Sequence, residues 1–535
     1  MSGLSIAATG RTQIRPARPA KKSFSTRPKV RPGDYTALIK RYYEPCILLK
    51  VLGQTRGRHT TVIEEKGTLQ FSRRRLLGNL SYLCDYAKGG ITTVAIGLEE
   101  EPNNYNLWVA SNGSKELDKM VKFLTSVLED IRAIISPPSP SDIDPFVRKC
   151  IEFSSSRVKK EGSILFRLID ICEKRLAPGK SETDLSLVCW LRKFIDKTSI
   201  DLCCLAYEQR NAPEMKEISY RGRIEHGDNH QTPGSMVYTA LRHTLGRLAH
   251  HVRAPKQVIT DATKFHNLFD EDVSFVKRIE PMACVAPPEA DERTTPLGIL
   301  SRMVQLYDPR KERHENNMIL MDQRFDLSKK IRDQYEDPNF QPCVHSEIQV
   351  LEHFYDNKLR FASDDRFIGC SKPACYCCCL YFKAHPAGCV EPRSHQNIWP
   401  NWGPPDLPGG SSDPKYTHQR DILNKMLESI RKEALDQIEN QAAALQRHPD
   451  STSGFTPSVL SDGIRNWGDD SLEEHLTSLK IVSSSHDQSL NDGNLSDSIS
   501  TSRGTPSSPS KSLSETSGAG DCQDENSDND GGALL

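Results

Sequence analysis

Two short motifs constrain this chain more than any other feature: His345-Ser346-Glu347 and Cys375-Tyr376-Cys377-Cys378. Each opens a segment with helical spacing. HSEIQVLEHFYDN turns Ile348, Leu351 and Phe354 or Tyr355 inward, and Pro373 to Ala384 reads as a second helix after the short strand RFIGCS. Cys375 and Cys378 stand one turn apart, so both sulfurs reach one ion, and a helix N-terminus favours thiolate over thiol. His345 and Glu347 do not share a helix face, which suits them to different jobs. One histidine and two cysteines leave the fourth position of a tetrahedral zinc open for water, as a catalytic zinc requires. Zinc lowers the pKa of such a water to about 7. Glu347, outside the ligand set, is then placed to take the water proton as an acid/base group. A fold that uses these residues must bring two helix mouths together.

The cysteines invite a competing reading, because there are 16 of them. Their placement argues against a disulfide scaffold: Cys370, Cys375, Cys377, Cys378 and Cys379 crowd together, and Cys84, Cys172 and Cys189 sit inside apolar helical patterns. No apolar run approaches a membrane span and no apolar segment follows the basic start, so an intracellular protein of cytoplasm or nucleus, without membrane partners, is expected. A net charge of −1 excludes a chain coated with basic charge for nucleic acid.

Along the chain, residues 1–34 read as a disordered basic tail, with prolines that break any amphipathic helix. Residues 35–115 read as helix, strand, turn, strand: RRRLLGNLSYLCDYA, then ITTVAIGLEE, Pro102-Asn103-Asn104 and YNLWVASN. From 116 to 340 the period is helical almost throughout, with a clean stripe at Leu117, Met120, Val121, Leu124, Leu128 and Ile131. Residues 341–410 hold both motifs and a Pro/Trp-rich loop. An amphipathic helix is expected within 411–450, and 451–535 reads as a mostly disordered Ser/Asp-rich tail.

CVHSEIQVLEHFYD followed by RFIGCSKPACYCC resembles the fungal OTT-type deaminase-like family of the cytidine deaminase-like zinc deaminases, as does CDYAKGGITTVAIG followed by WVASN. One departure is that Ala374 separates Pro373 from Cys375, where the superfamily signature joins them. The resemblance implies an α/β fold, a cytidine-deaminase-like three-layer α/β/α sandwich. It also implies zinc on His345, Cys375 and Cys378, with Glu347 passing a proton from zinc-bound hydroxide to the ring and the leaving ammonia. The substrate implied is a nucleobase, as nucleoside, nucleotide or nucleic acid. The family fold begins helix, strand, strand, and only then the HxE helix. Here FDLSKKIRDQYE precedes His345 and the hairpin lies at 73–112, so a split domain with an all-helical insertion is expected. Asn112, closing WVASN, becomes the candidate substrate-binding asparagine, against the plainer reading of a turn residue before Gly113.

Plainer readings stand beside other residues too. Arg247, His250, His251 and Arg253 contact phosphates or, more simply, line a solvated helix face. Trp399 and Trp402 beside His395 wall a base pocket or anchor a loop. Two other function classes remain open. A binding or scaffold protein that kept fold and zinc has no need of a carboxylate at Glu347. A thiol oxidoreductase using Cys375 and Cys378 leaves His345 and Glu347 without a task.

Overall fold

The computed structural model describes residues 33–60, 65–113, 115–135, 142–176, 181–224, 233–270, 274–337, 340–399 and 401–442. The basic tail before Gly33 and the Ser/Asp-rich tail from 451 lie outside the described residues. In chain order, α1 (Gly33–Leu52) and α2 (Leu69–Cys84) precede the hairpin of β1 (Val94–Glu100) and β2 (Tyr105–Ser111). Then come α3 (Leu117–Ile135), α4 (Ile143–Phe153), α5 (Ser155–Leu176), α6 (Glu182–Arg192), α7 (Ser199–Glu208), α8 (Pro213–Ile224) and α9 (Pro233–Ala262). After β3 (Ser274–Arg278) follow α10 (Pro296–Met303), α11 (Lys311–Phe325) and α12 (Leu327–Glu336). Last are α13 (Ser346–Asp356), β4 (Ile368–Cys370), α14 (Tyr376–Ala384) and α15 (Tyr416–Glu439).

The four strands form one mixed sheet in the order β3-β2-β1-β4. β1 pairs antiparallel with β2 from Val94↔Ser111 to Glu100↔Tyr105, and antiparallel with β4 at Ala95↔Cys370 and Gly97↔Ile368. The early hairpin and the strand before the cysteine motif therefore share a sheet, as the order of elements in the sequence led one to expect. Alternation splits the sheet between two cores. Val94, Ile96, Leu98, Leu107 and Val109 join α2, α3 and the end of α9. Ala95 and Ala110 face the other way, into the cluster built by α1, α13, α14 and α15. Helices thus cover both faces.

Two glycines set how close those helices come. A Cβ on Gly97 of β1 would lie 2.5 Å from the Phe354 ring and 2.8 Å from Val350 of α13. On the opposite face, a Cβ on Gly369 would lie 2.6 Å from the Leu77 backbone of α2. Ser81 Oγ donates to the Gly369 carbonyl at 2.9 Å across that contact. The approach of α13 to the sheet fixes where its N-terminus stands.

The stretch between hairpin and HxE helix is not all-helical. β3 pairs parallel with β2, from Tyr105↔Ser274 to Val109↔Arg278. Its five residues, SFVKR, are too short to give a period, and as an edge strand it leaves Phe275 41% exposed. The stretch also divides. α4 to α9 bury a core of their own around Leu165, Trp190, Leu202 and Leu245. Residues of α10 to α12, among them Leu300, Met318 and Ile331, belong instead to the core beneath α13 and α14.

At the heart of the α4–α9 bundle, Glu161 accepts from Arg157 (3.2 Å) and Arg247 (2.9 Å) and faces His251 Nε2 at 3.1 Å. Burial alone would raise this carboxyl, but the two arginines and His251 hold it well below its ordinary value. Arg247 and His251 are buried. This corrects both readings for Arg247 and His251, while Arg253 stays exposed: a period cannot tell which polar residues of a helix enclosed by others will pair inward.

Candidate functional site

His345 is the N-cap residue of α13 and Cys375 that of α14, so the two helix mouths meet as the spacing required. His345 Nδ1 lies 3.6 Å from Cys375 Sγ and 3.3 Å from Cys378 Sγ. Tetrahedral zinc with ordinary N and S bond lengths sets such N···S separations at about 3.5 Å. All three donor atoms lie within 4.8 Å of one another, and the residues fit the ion in type, number and spacing. Burial opposes charge on Cys375, but the Cys378 hydrogen bond and the His345 ring outweigh it and bring the thiol down to about 6. Burial and the neighbouring Cys375 push Cys378 well up. Burial also opposes charge on the His345 ring, yet Cys375 and a hydrogen bond with Cys343 raise it well above its ordinary value.

Glu347 is buried and stands beside the donors without joining them. Its Oε1 lies 4.0 Å from His345 Nδ1, and Ser346 Oγ donates weakly to Oε2 at 3.5 Å. Cys370 points elsewhere, its thiol toward the Ile368 carbonyl at 3.7 Å. Cys377 turns into the core, 3.8 Å from Cys46 of α1, and Cys379 is buried, so both are packing residues.

The extra residue between Pro373 and Cys375 has a structural reason. Ala374 forms a parallel bridge with Ser394: its N–H donates to the Arg393 carbonyl at 2.7 Å, and His395 N–H returns a bond to the Ala374 carbonyl at 3.1 Å. The inserted alanine stitches the cysteine loop to the Pro/Trp-rich loop, while Cys375 keeps the capping position. Trp402 is buried with its ring centroid 5.7 Å from that of Tyr42 and 5.9 Å from that of Tyr381, so it anchors this loop on the core. On the other side, Lys372 reaches Asp85 at 3.4 Å, and Asp85 also meets Arg157 of the α4–α9 bundle at 3.6 Å. Sequence reading missed this link, since neither residue carries a motif.

Asn112 closes β2 at the mouth of α13. Its Oδ1 accepts from Ser346 N–H at 2.7 Å, and its Nδ2 donates to the Gly90 carbonyl at 2.9 Å.

A second cluster escaped the sequence because its members are far apart in the chain. Glu352 of α13 accepts from Tyr381 Oη at 2.6 Å and faces His385 Nε2 at 3.2 Å and His418 Nε2 at 3.8 Å. Glu352, His385 and His418 stand close enough to hold a cation. However, Ala387 N–H donates to His385 Nδ1 at 3.1 Å, which puts the ring proton on Nε2, toward Glu352. The group is a polar clamp in which Tyr381 of α14 hydrogen-bonds Glu352 of α13, while His385, just after α14, and His418 of α15 close in on the same carboxylate. Burial would raise the Glu352 carboxyl, but His385, His418 and Tyr381 outweigh it and hold it down at about 2. A depressed carboxyl contributes stability that is full above its ordinary value of about 4.3 and is lost as pH falls through the folded value. Glu352→Gln should therefore lower the melting temperature at neutral pH and flatten its fall on acidification. An unchanged acid limb would refute this clamp.

Among the described residues, no helix is long and apolar enough to cross a membrane. No curated protein and no solved structure matches the chain. Residues 344–406 match the family model described as OTT_1508-like deaminase. That segment starts one residue before His345 and contains Glu347, Cys375 and Cys378, so the part of the chain that builds the site is the part that is deaminase-like.

Proposed function

We propose that the chain is a zinc-dependent hydrolytic deaminase acting on a nucleobase, with His345, Cys375 and Cys378 as ligands and Glu347 as the acid/base. The observation that carries this is the His/Cys/Cys set with a buried carboxylate beside it, inside the deaminase-like segment. Zinc, when bound there, supplies a water activated for attack at neutral pH. The chain's own groups do the rest. Glu347 accepts a proton from the attacking water and delivers it to the ring nitrogen. It then takes the second proton from the hydroxyl now on the ring carbon and passes it to the departing amine, so that a carbonyl replaces the amino group and ammonia leaves. Burial of Glu347 and both sulfurs keeps bulk water from competing for those protons.

In this reading the sheet with helices on both faces is the three-layer α/β/α sandwich of the cytidine-deaminase type. Residues 35–115 supply its first part, 341–410 its zinc-binding core, and 116–340 an insertion that both extends the core and adds a bundle. Asn112 is the candidate substrate contact. The substrate is a nucleobase free, in a nucleotide or in single-stranded nucleic acid. The cysteines that form no disulfide among the described residues suit a reducing compartment inside the cell.

The test is zinc quantification on purified protein with ammonia release measured across nucleosides, nucleotides and single-stranded DNA and RNA. Stoichiometric zinc with ammonia from one substrate class is expected. Zinc without ammonia from any of them would overturn the enzyme reading in favour of a binding module.

A further inference from the structure

His345 occupies the position whose side chain ordinarily closes a helix. An N-cap residue usually turns its side-chain oxygen back to accept from a free N–H of the first turn. The His345 ring instead faces the two sulfurs, and it makes no capping bond. With its ring turned to the sulfurs, His345 lends the first turn of α13 only its carbonyl, which accepts from Ile348 N–H at 3.0 Å, at the very turn that carries Glu347.

The opening amide of that turn is bonded from far away in the chain. Ser346 N–H donates to Asn112 Oδ1 at 2.7 Å. Asn112 is itself held on three sides. Its N–H donates to the Thr93 carbonyl at 3.1 Å and its Nδ2 to the Gly90 carbonyl at 2.9 Å. The next residue, Gly113, donates to the Ile91 carbonyl at 2.8 Å, and a Cβ there would lie 2.6 Å from the Ile91 side chain. One turn further along α13, Gln349 Nε2 donates to the Ser111 carbonyl at 3.1 Å, so the end of β2 grips the helix twice.

The same support reaches the other half of the site. Lys372, in the loop that leads into Cys375, donates to the Gly89 carbonyl, next to the Gly90 carbonyl that Asn112 uses. Gly89 has a φ of +116°, which favours glycine. The turn between α2 and β1 therefore presents adjacent carbonyls to both helix mouths.

We infer that Asn112 is a positioning residue, a remote cap on the first amide of α13 that fixes His345 and Glu347 against the cysteine half-site while the His345 side chain is turned to the sulfurs. This rests on the deaminase reading for its meaning and goes beyond substrate contact. A substrate contact acts only when substrate is present. A cap acts on the metal site of the free protein.

The experiment measures zinc affinity by chelator competition, and hydrogen exchange at the Ser346 amide, in the full chain and in Asn112→Ala and Asn112→Asp. The alanine variant loses the acceptor. It should weaken zinc binding by about ten- to a hundredfold, the range for residues that orient metal ligands, and speed exchange at Ser346. The aspartate variant keeps an acceptor suited to a helix N-terminus and should restore both to within a few-fold of wild type. If the alanine variant does not fold, the aspartate variant decides: a loss of zinc affinity there as large as about tenfold overturns the inference. Unchanged zinc affinity in a folded alanine variant, with only a raised KM, also overturns it. If no substrate is ever found, the deaminase reading fails while these measurements still decide the cap.

Discussion

Cys375→Ser should yield a chain that purifies without zinc, while Cys377→Ser retains it. Serine is among the best N-cap residues, so it can keep the bond that Cys375 Sγ accepts from Cys378 N–H at 3.4 Å and leave α14 intact. What it cannot supply is a soft anionic donor, because a serine hydroxyl stays protonated where the Cys375 thiol is brought down to about 6. Two ligands remain, too few for a closed site, and the melting temperature should fall by whatever the metal contributes. The control sits two residues on. Cys377 faces Cys46 in the core, so its serine variant buries a hydroxyl at a cost of about 1–3 kcal/mol but leaves the ligand set whole. Elemental analysis with thermal unfolding reads both. Full zinc occupancy in Cys375→Ser would remove this ligand assignment.

Glu347→Gln should separate binding from chemistry. The amide matches the carboxylate in shape and keeps an oxygen toward Ser346 Oγ, so fold and zinc content should match wild type. It cannot accept a proton from water. General acid–base groups contribute about 10²–10⁴-fold, and kcat on the best substrate from the panel should fall by that order with KM little changed. A variant that turns over normally would show that the proton moves through another group.

Much of the site was legible because its chemistry is local in sequence. The spacing of Cys375 and Cys378 states that two sulfurs lie one turn apart; the apolar stripe behind the first motif and Pro373 ahead of the second state that each opens a helix. The hairpin was legible for the same reason, since VAIGLEE and YNLWVAS alternate across a turn. α1 was not. Residues 42–49 of α1 are all buried, so that part of the helix has no polar face to make a stripe, and Pro45 inside it argues against a helix at all. Surroundings that cover every side decide such a segment.

The sequence by itself thus determined which residues the proposed chemistry would use and that each motif sits at a helix mouth, because periodicity and ligand type are properties of a few neighbouring residues. Tertiary structure alone decided what holds those mouths in place. Asn112 caps a helix whose own cap residue is turned to the sulfurs, and Lys372 and Asp85 tie the cysteine loop to the hairpin's support. It also decided that β3 edges the sheet and that Arg247 and His251 close on Glu161. The physical reason is common to these cases. A hydrogen bond or an ion pair needs only that two groups meet, and which distant groups meet is set by packing, which no local pattern records.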